Sequence, residues 1–295
     1  MTAQTVQTTQ TERTAMGIAQ QITKEQKAPS PEARTGAMLS VESVRAGYDA
    51  GPDVLTDITL TARPGEVTAL LGPNGCGKST LLKTMSRLLT PRAGRVRVGE
   101  AEIHRLSPRR AAHTVAYLPQ QPVAPEGLTV GELVARGRHP HRAWWRGAWA
   151  ADIAAVDAAL AETGTAALAD RDLAALSGGQ RQRVWLAMVL AQDCPVLLLD
   201  EPTTYLDPAH AVETLELVRA LARGGRTVVT VLHDLMLAGA YADRIVLLGA
   251  GRILADGDPH AALTPATLAD VYRLRADVLD DPAGVAPIIV PRGTC

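Results

Sequence analysis

The sequence predicts an α/β fold, a mainly parallel sheet covered on both faces, with a helical segment inserted between its strands. Three observations carry this. Short continuous apolar runs, VTALL (67–71), VLLL (196–199) and TVVTV (227–231), suit strands buried on both faces. Helical spacing follows them at 81–89, 209–223 and 235–242. Between the two halves, residues from about 103 to 176 are rich in Ala, Arg and Leu, with helical spacing at 130–137 and 151–163.

In chain order, residues 1–37 are rich in Thr, Gln, Ala and Glu and poor in large apolar groups. They cannot bury enough surface to offset ordering entropy, so a disordered tail is expected. Order is expected from Met38. MLSVESV (38–44) and VLTDITLTA (54–62) alternate apolar and polar residues, the period of a half-buried strand, and Arg63-Pro64-Gly65 is a turn. The strand 67–71 runs into GPNGCGKST (72–80) and the helix 81–89, and GRVRVGE (94–100) returns to alternation. Beyond the insertion come a helix at 180–191, the strand 196–199, the helix 209–223 and the strand 227–231. The helix 235–242, a hairpin of RIVLL (244–248) and RILA (252–255), and a helix at 266–273 complete the pattern. No internal repeat is visible, and residues 274–295 form an extension without a motif.

A chain of 295 residues is ample for a sizeable core. Thirty Lys+Arg against 31 Asp+Glu leave a net charge of -1 and no broad positive field, so no nucleic-acid partner is expected. Cys76, Cys194 and Cys295 are too few and too scattered for a disulfide framework, and no CxxC pair suits zinc. The N-terminus lacks the basic start and apolar run of a secretory signal, and no stretch reaches the roughly 18 apolar residues of a membrane helix. A membrane role is therefore expected to come through a partner. Only four of the cations are lysines (Lys24, Lys27, Lys78, Lys83), so a lysine in mid-fold is informative.

Gly72-Pro73-Asn74-Gly75-Cys76-Gly77-Lys78-Ser79 fits GxxxxGK[ST] after a buried strand and before a helix. The glycines let successive N–H groups point inward, and with the helix N-terminus they make a cradle for phosphates. Lys78 can reach the β- and γ-phosphates, and the Ser79 hydroxyl can ligate Mg²⁺. The strand 196–199 ends in Asp200 and Glu201, where open α/β sheets present ligand groups. Asp200 is read as an Mg²⁺ ligand and Glu201 as the general base facing the attacking water. Ser177-Gly178-Gly179-Gln180 opens a further helix, a second anion site or a simple Ser cap.

The order GPNGCGKST, LPQQ (118–121), LSGGQRQR (176–183), VLLLDEP (196–202), YLDP (205–208) and VLHDL (231–235) resembles the nucleotide-binding subunits of ABC transporters, over roughly residues 38–252. LSGGQ together with the two phosphate- and metal-binding motifs is highly specific to that family. The resemblance implies a P-loop NTPase with a RecA-like core, an antiparallel β-subdomain and an inserted helical subdomain at about 103–176, the whole domain spanning 38–273. It implies ATP hydrolysis with Mg²⁺, and two copies closing on two ATP molecules, one giving Lys78 and the other Ser177, Gly178, Gly179 and Gln180. Gly72, Asn74, Gly75, Gly77, Ser79 and Thr80 would then surround the phosphates. By resemblance Gln120 senses Mg²⁺ and the permease, the Leu-Pro-Gln register favouring it over Gln121. His233 would contact the γ-phosphate and help position Glu201. Asp207 would cross the dimer, although an Asp before Pro208 also reads as a helix cap. Tyr48 would stack on adenine. Cys76, at a helix start where thiol pKa values tend to fall, is expected to react with alkylating agents and block hydrolysis, with ATP protecting.

TVGELVARGRHPH (129–141) is similar to the segment after that glutamine in ATPases of ferric-siderophore, haem and cobalamin importers. Its first half also reads as a capping box, and His139 and His141 lack a third metal ligand nearby. Trp144, Trp145 and Trp149 form either an apolar contact surface for the permease or a packing cluster. The expected assembly is a bacterial importer, most simply for ferric siderophores. Its parts would be integral-membrane permease subunits, an extracytoplasmic solute-binding protein and two copies of this chain on the cytoplasmic face of the membrane. A haem or cobalamin importer, a separate-subunit exporter and a soluble ABC ATPase are the alternatives.

Overall fold

In the computed structural model, residues 36–141, 149–282, 284 and 286–295 are described. The first half forms β1 (Leu39–Ala46), β2 (Leu55–Ala62), β3 (Val67–Leu71), α1 (Lys78–Met85), β4 (Ala93–Val98), β5 (Ala101–Glu102), α2 (Pro108–Ala112) and β6 (Val115–Leu118). Helices α3 (Val130–Arg136), α4 (Trp149–Glu162) and α5 (Gly178–Ala191) follow. Next come β7 (Val196–Asp200), α6 (Pro208–Arg223), β8 (Thr227–Val231), α7 (Leu235–Tyr241), β9 (Arg244–Gly249) and β10 (Arg252–Gly257). The chain ends with α8 (Pro259–Ala262), α9 (Pro265–Tyr272), β11 (Leu274–Leu279) and β12 (Ile288–Thr294).

Two larger sheets result. An antiparallel one runs β2-β1-β4-β5, and a six-stranded one runs β10-β9-β3-β8-β7-β6. In the second sheet β9, β3, β8, β7 and β6 are mutually parallel and only β10 is antiparallel. Every residue of β3, β7 and β8 is buried, as continuous apolar runs in a covered sheet require. Successive side chains alternate between two cores. Leu197 and Leu199 face the core beneath α5 and α6, whereas Val196 and Leu198 face the core shared with α1 and the antiparallel sheet. Local chemistry sets the helix starts. Ser107, Thr129, Ser177, Asp207, Asp234, Asp258 and Thr264 each accept a backbone N–H of the helix they precede, satisfying donors a helix start leaves orphaned.

The structure corrects three expectations. The stretch 103–176 is not helical throughout, because Val115–Leu118 forms β6, the edge strand paired in parallel with β7. Four residues are too few to show a period, and the surrounding Ala and Arg favour a helical reading. Residues 274–295, which carry no sequence motif, pair as the antiparallel hairpin β11–β12. The phosphate-loop helix begins at Lys78 and ends at Met85, where helical spacing alone places it at 81–89. The tail expected over 1–37 falls outside the described residues except for Gly36 and Ala37, and the Ala37 carbonyl accepts the Thr227 hydroxyl at 2.8 Å.

Candidate active site

Four neighbouring parallel strands end on the same side of the sheet. β3 leads into the phosphate loop, β8 into His233, β7 ends at Asp200 with Glu201 next, and β6 leads to Gln120. Residues scattered from 72 to 233 are thereby set side by side at the carboxyl edge, where open α/β sheets hold ligands. Asn74, Gly75, Gly77, Lys78, Ser79, Thr80, Gln120, Glu201, Thr204, Tyr205, His233 and Val54 line a cleft of about 620 Å³ there.

The phosphate loop is shaped by its glycines. Gly77, at φ 111°, is in a backbone conformation an L side chain resists, and it precedes α1 without contributing any side-chain cap. The first amides of α1 thus lack the side-chain acceptor that closes seven other helix starts, which leaves a cradle for an anion. Gly72 has φ 147°, and a Cβ there would stand 2.2 Å from the Leu248 carbonyl oxygen, so no larger residue fits. Lys78, only 6% exposed, folds its ammonium back on the loop, donating to the carbonyls of Gly72 at 2.7 Å and Pro73 at 3.0 Å.

Beside the loop, Ser79 Oγ donates to Asp200 Oδ1 at 3.2 Å, and the Tyr117 hydroxyl donates to Asp200 Oδ2 at 3.2 Å. Burial pushes the Asp200 carboxyl up, against the pull of these two hydrogen bonds, and the neighbouring Glu201 carboxylate adds to the rise. A hydroxyl and a buried carboxylate in contact are hard oxygen donors of the kind a small dication takes, and a cation there would offset the cost of burying the charge. The residues present fit Mg²⁺.

Glu201 is tied from three sides. His233 Nε2 pairs with its Oε1 at 2.5 Å, and Oε2 accepts from Gln120 Nε2 at 2.6 Å and from the Thr204 hydroxyl at 2.9 Å. Burial pushes its carboxyl up, but the bonds from His233, Thr204 and Gln120 outweigh this and hold it below the usual range. An ionised carboxylate at the mouth of a phosphate cradle can accept a proton from water. Tyr48 joins through its hydroxyl, 3.3 Å from Thr80 Oγ1, and its ring lies 5.6 Å from the Lys83 ammonium.

Some expected residues stand apart. Ser177, Gly178, Gly179 and Gln180 do not line the cleft. Ser177 and Gln180 form a reciprocal capping box at the start of α5, with Gln180 N–H to Ser177 Oγ at 3.3 Å and Ser177 N–H to Gln180 Oε1 at 3.2 Å. Gly179 is packed against α6, since a Cβ there would meet the His210 ring at 2.7 Å. Asp207 caps α6 by accepting the His210 N–H at 3.0 Å. Gln120, which the resemblance makes a sensor and ligand of Mg²⁺, directs its amide to Glu201. His141 is engaged with the Gln192 carbonyl at 2.8 Å and packs edge-on against His113. Trp144 and Trp145 lie outside the described residues, as does the side chain of Trp149.

Sequence reasoning missed Tyr117 and Thr204. Tyr117 lies in VAYL directly before Pro119-Gln120, a run too short to mark a strand by its period. Thr204 has no signal of its own.

The model of the ABC transporter family matches residues 55–204. The chain belongs to this family. Among curated relatives, the achromobactin transport ATP-binding protein CbrD of Dickeya dadantii is 47% identical over 86% of this chain and 95% of its own length. The ferric enterobactin transport ATP-binding protein FepC of Escherichia coli is 43% identical over 87% and 95%. An ABC transporter assigned to the metal-chelate type and solved facing inward superposes with a TM-score of 0.76 at 28% identity, covering 87% of this chain and 98% of that one. The chain is accordingly an ABC ATPase, and the fold is that of a P-loop NTPase with an antiparallel β-subdomain and an inserted helical one.

One expectation about this ABC ATPase changes. Cys76 is 4% exposed and lies 4.0 Å from the Lys78 ammonium. Burial pushes its thiol up, outweighing the lowering by Lys78, so position in the cradle does not make it a reactive thiolate. Without nucleotide, its alkylation at pH 7.5 should be at least about tenfold slower than that of exposed Cys295, read by mass spectrometry of the digested protein. Equal rates at the two cysteines would contradict the buried, protonated thiol.

Proposed function

We propose that this ABC ATPase energises uptake of ferric siderophores. The supporting observation is the set of relatives named for achromobactin, petrobactin, iron(3+)-hydroxamate and ferric enterobactin transport, 43–47% identical across some 85% of the chain. ATP binds in the cleft with its phosphates on the amides of α1 and its base on Tyr48. Lys78 leaves the loop carbonyls for the β- and γ-phosphates. Ser79 and Asp200 are the pair that would hold Mg²⁺, which screens phosphate charge when bound. Glu201 accepts the proton of the attacking water, and His233, Thr204 and Gln120 aim its carboxylate.

A second copy supplies the rest. Ser177 to Gln180 lie away from their own cleft, so their helix start and the adjacent Asp207 serve the nucleotide of the partner. A dimeric cassette of this family, MJ0796, superposes with a TM-score of 0.66 at 26% identity over 75% of this chain. No described helix is long and apolar enough to cross a membrane, so permease subunits carry the cargo through it. The chain docks on their cytoplasmic face, and an extracytoplasmic solute-binding protein delivers the cargo. The ABC domain spans 38–273, with 274–295 as its extension.

The test is uptake of radiolabelled ferric siderophore in cells lacking this chain, complemented with wild type or with Glu201→Gln. Rescue by wild type alone supports the reading. Normal siderophore uptake without the chain, together with loss of haem or cobalamin uptake, would move the cargo to that class.

A further inference from the structure

The loop 47–53 that carries Tyr48 is built around a guanidinium from elsewhere in the chain. Its ends are closed by Val54 N–H to the Ala46 carbonyl at 2.8 Å, and Gly51 N–H turns back to the Tyr48 carbonyl at 3.0 Å. Arg92, just before β4, reaches into this loop. Its Nη2 donates to the Asp49 carbonyl at 2.6 Å and the Tyr48 carbonyl at 3.3 Å, and its Nη1 donates to Asp53 Oδ1 at 2.8 Å. Asp53 Oδ2 takes Arg45 of β1 at 2.9 Å from Nε and 2.6 Å from Nη2. The Arg92 backbone is itself fixed, its N–H bonding the Arg45 carbonyl at 2.7 Å. Gly47 makes room, since a Cβ there would stand 2.4 Å from the Pro52 carbonyl oxygen and 3.3 Å from Arg92 Cζ.

Tyr48 is 43% exposed; its hydroxyl stands 3.3 Å from Thr80 Oγ1 and its ring 5.6 Å from the Lys83 ammonium. The Tyr48 carbonyl takes the Gly51 N–H at 3.0 Å and Arg92 Nη2 at 3.3 Å, and Arg92 ties this peptide to Asp49 and Asp53. A planar fork meets two carbonyls and a carboxylate together, which a single ammonium cannot do. Arg92 does not line the cleft and touches no group proposed for catalysis.

Resting on the reading of Tyr48 as the adenine platform, we propose that Arg92, locked by Asp53 and Arg45, is a positioning residue that sets Tyr48 for the base. Without Arg92 the loop loses its filling, and the ring samples directions that do not stack. The loss falls on the adenine alone, because the phosphates are held by α1 and Lys78.

The test is equilibrium binding to the full chain, with ATP and inorganic tripolyphosphate each competing against mant-ATP. Tyr48→Ala is expected to weaken ATP by about tenfold, the range of base–aromatic stacking. Arg92→Ala is expected to weaken ATP by about three- to tenfold, and Arg92→Lys by nearly as much. The double variant should bind ATP no worse than Tyr48→Ala, because both changes remove the same contact. Tripolyphosphate, which has no base, should bind all of them as it binds wild type. Asp53→Asn serves if Arg92→Ala does not fold, and is expected to weaken ATP selectively too. Additive losses in the double variant, equal weakening of tripolyphosphate, or wild-type ATP binding by both Arg92→Ala and Asp53→Asn would overturn the proposal. Wild-type binding by Tyr48→Ala would overturn the adenine reading itself, an outcome distinct from failure at Arg92 alone.

Discussion

Glu201→Gln is expected to lower ATP turnover by about 10²–10⁴-fold, the contribution of a positioned general base. ATP should still draw two copies together. The cradle amides, Lys78, Ser79 and Tyr48 are untouched by the change, so binding persists while the proton acceptor is gone. The structure adds a reason for a large effect. Glu201 sits at φ 54°, a left-handed conformation that costs about 1–2 kcal/mol for a residue with a Cβ. That turn swings the carboxylate off the end of β7 into the cleft, where His233, Thr204 and Gln120 hold it. A Gln amide keeps one oxygen acceptor and loses the carboxylate that takes up the proton. Phosphate release and light scattering with ATP are the measurements. Turnover within a few-fold of wild type would remove Glu201 from the role of base.

Lys78→Met is expected to weaken ATP binding by about 10–100-fold, the range of hydrogen bonds to a charged group. It should also cut turnover by about 10²–10³-fold, since the same ammonium stabilises charge developing on the phosphoryl group. Methionine keeps the length and apolar stem, so packing beside Gly72 and Pro73 survives. The ammonium donates to two loop carbonyls at 2.7 and 3.0 Å, which hold it beside the cradle. Competition binding against mant-ATP, with circular dichroism to confirm an intact fold, measures the effect. Unchanged affinity would mean that the amides of α1 alone carry the phosphates.

Much of this site was legible because its parts are local. The phosphate loop is eight consecutive residues between a buried strand and a helix, and each glycine is needed by the backbone it sits in. Asp200 and Glu201 are readable for the same reason, as acids at the end of an apolar strand. Tyr117 was not legible as a site residue. Its importance depends on β6 lying beside β7, and a four-residue strand within an Ala- and Arg-rich stretch gives no period to detect. Thr204 acts only because the chain after Glu201 turns its hydroxyl back onto that carboxylate. Cys76 shows the opposite failure, since a helix-start position suggests a low pKa and burial decides otherwise. Arg92 and Asp53 are 39 residues apart and meet only because β1 and β4 are neighbours.

From the sequence alone came the class of fold, the glycine-rich loop before a helix, the paired acids at the end of an apolar strand, and the family whose motif order they follow. These are properties of short segments, where backbone conformation and residue chemistry are set within a few positions. Packing of distant segments sets how they serve one another: which strand ends adjoin, that Glu201 is held by His233, Thr204 and Gln120, that Cys76 is buried, and that Arg92 fills the Tyr48 loop. Each of these depends on strand pairing and desolvation, which arise from the packing of distant segments and leave no local trace in the chain.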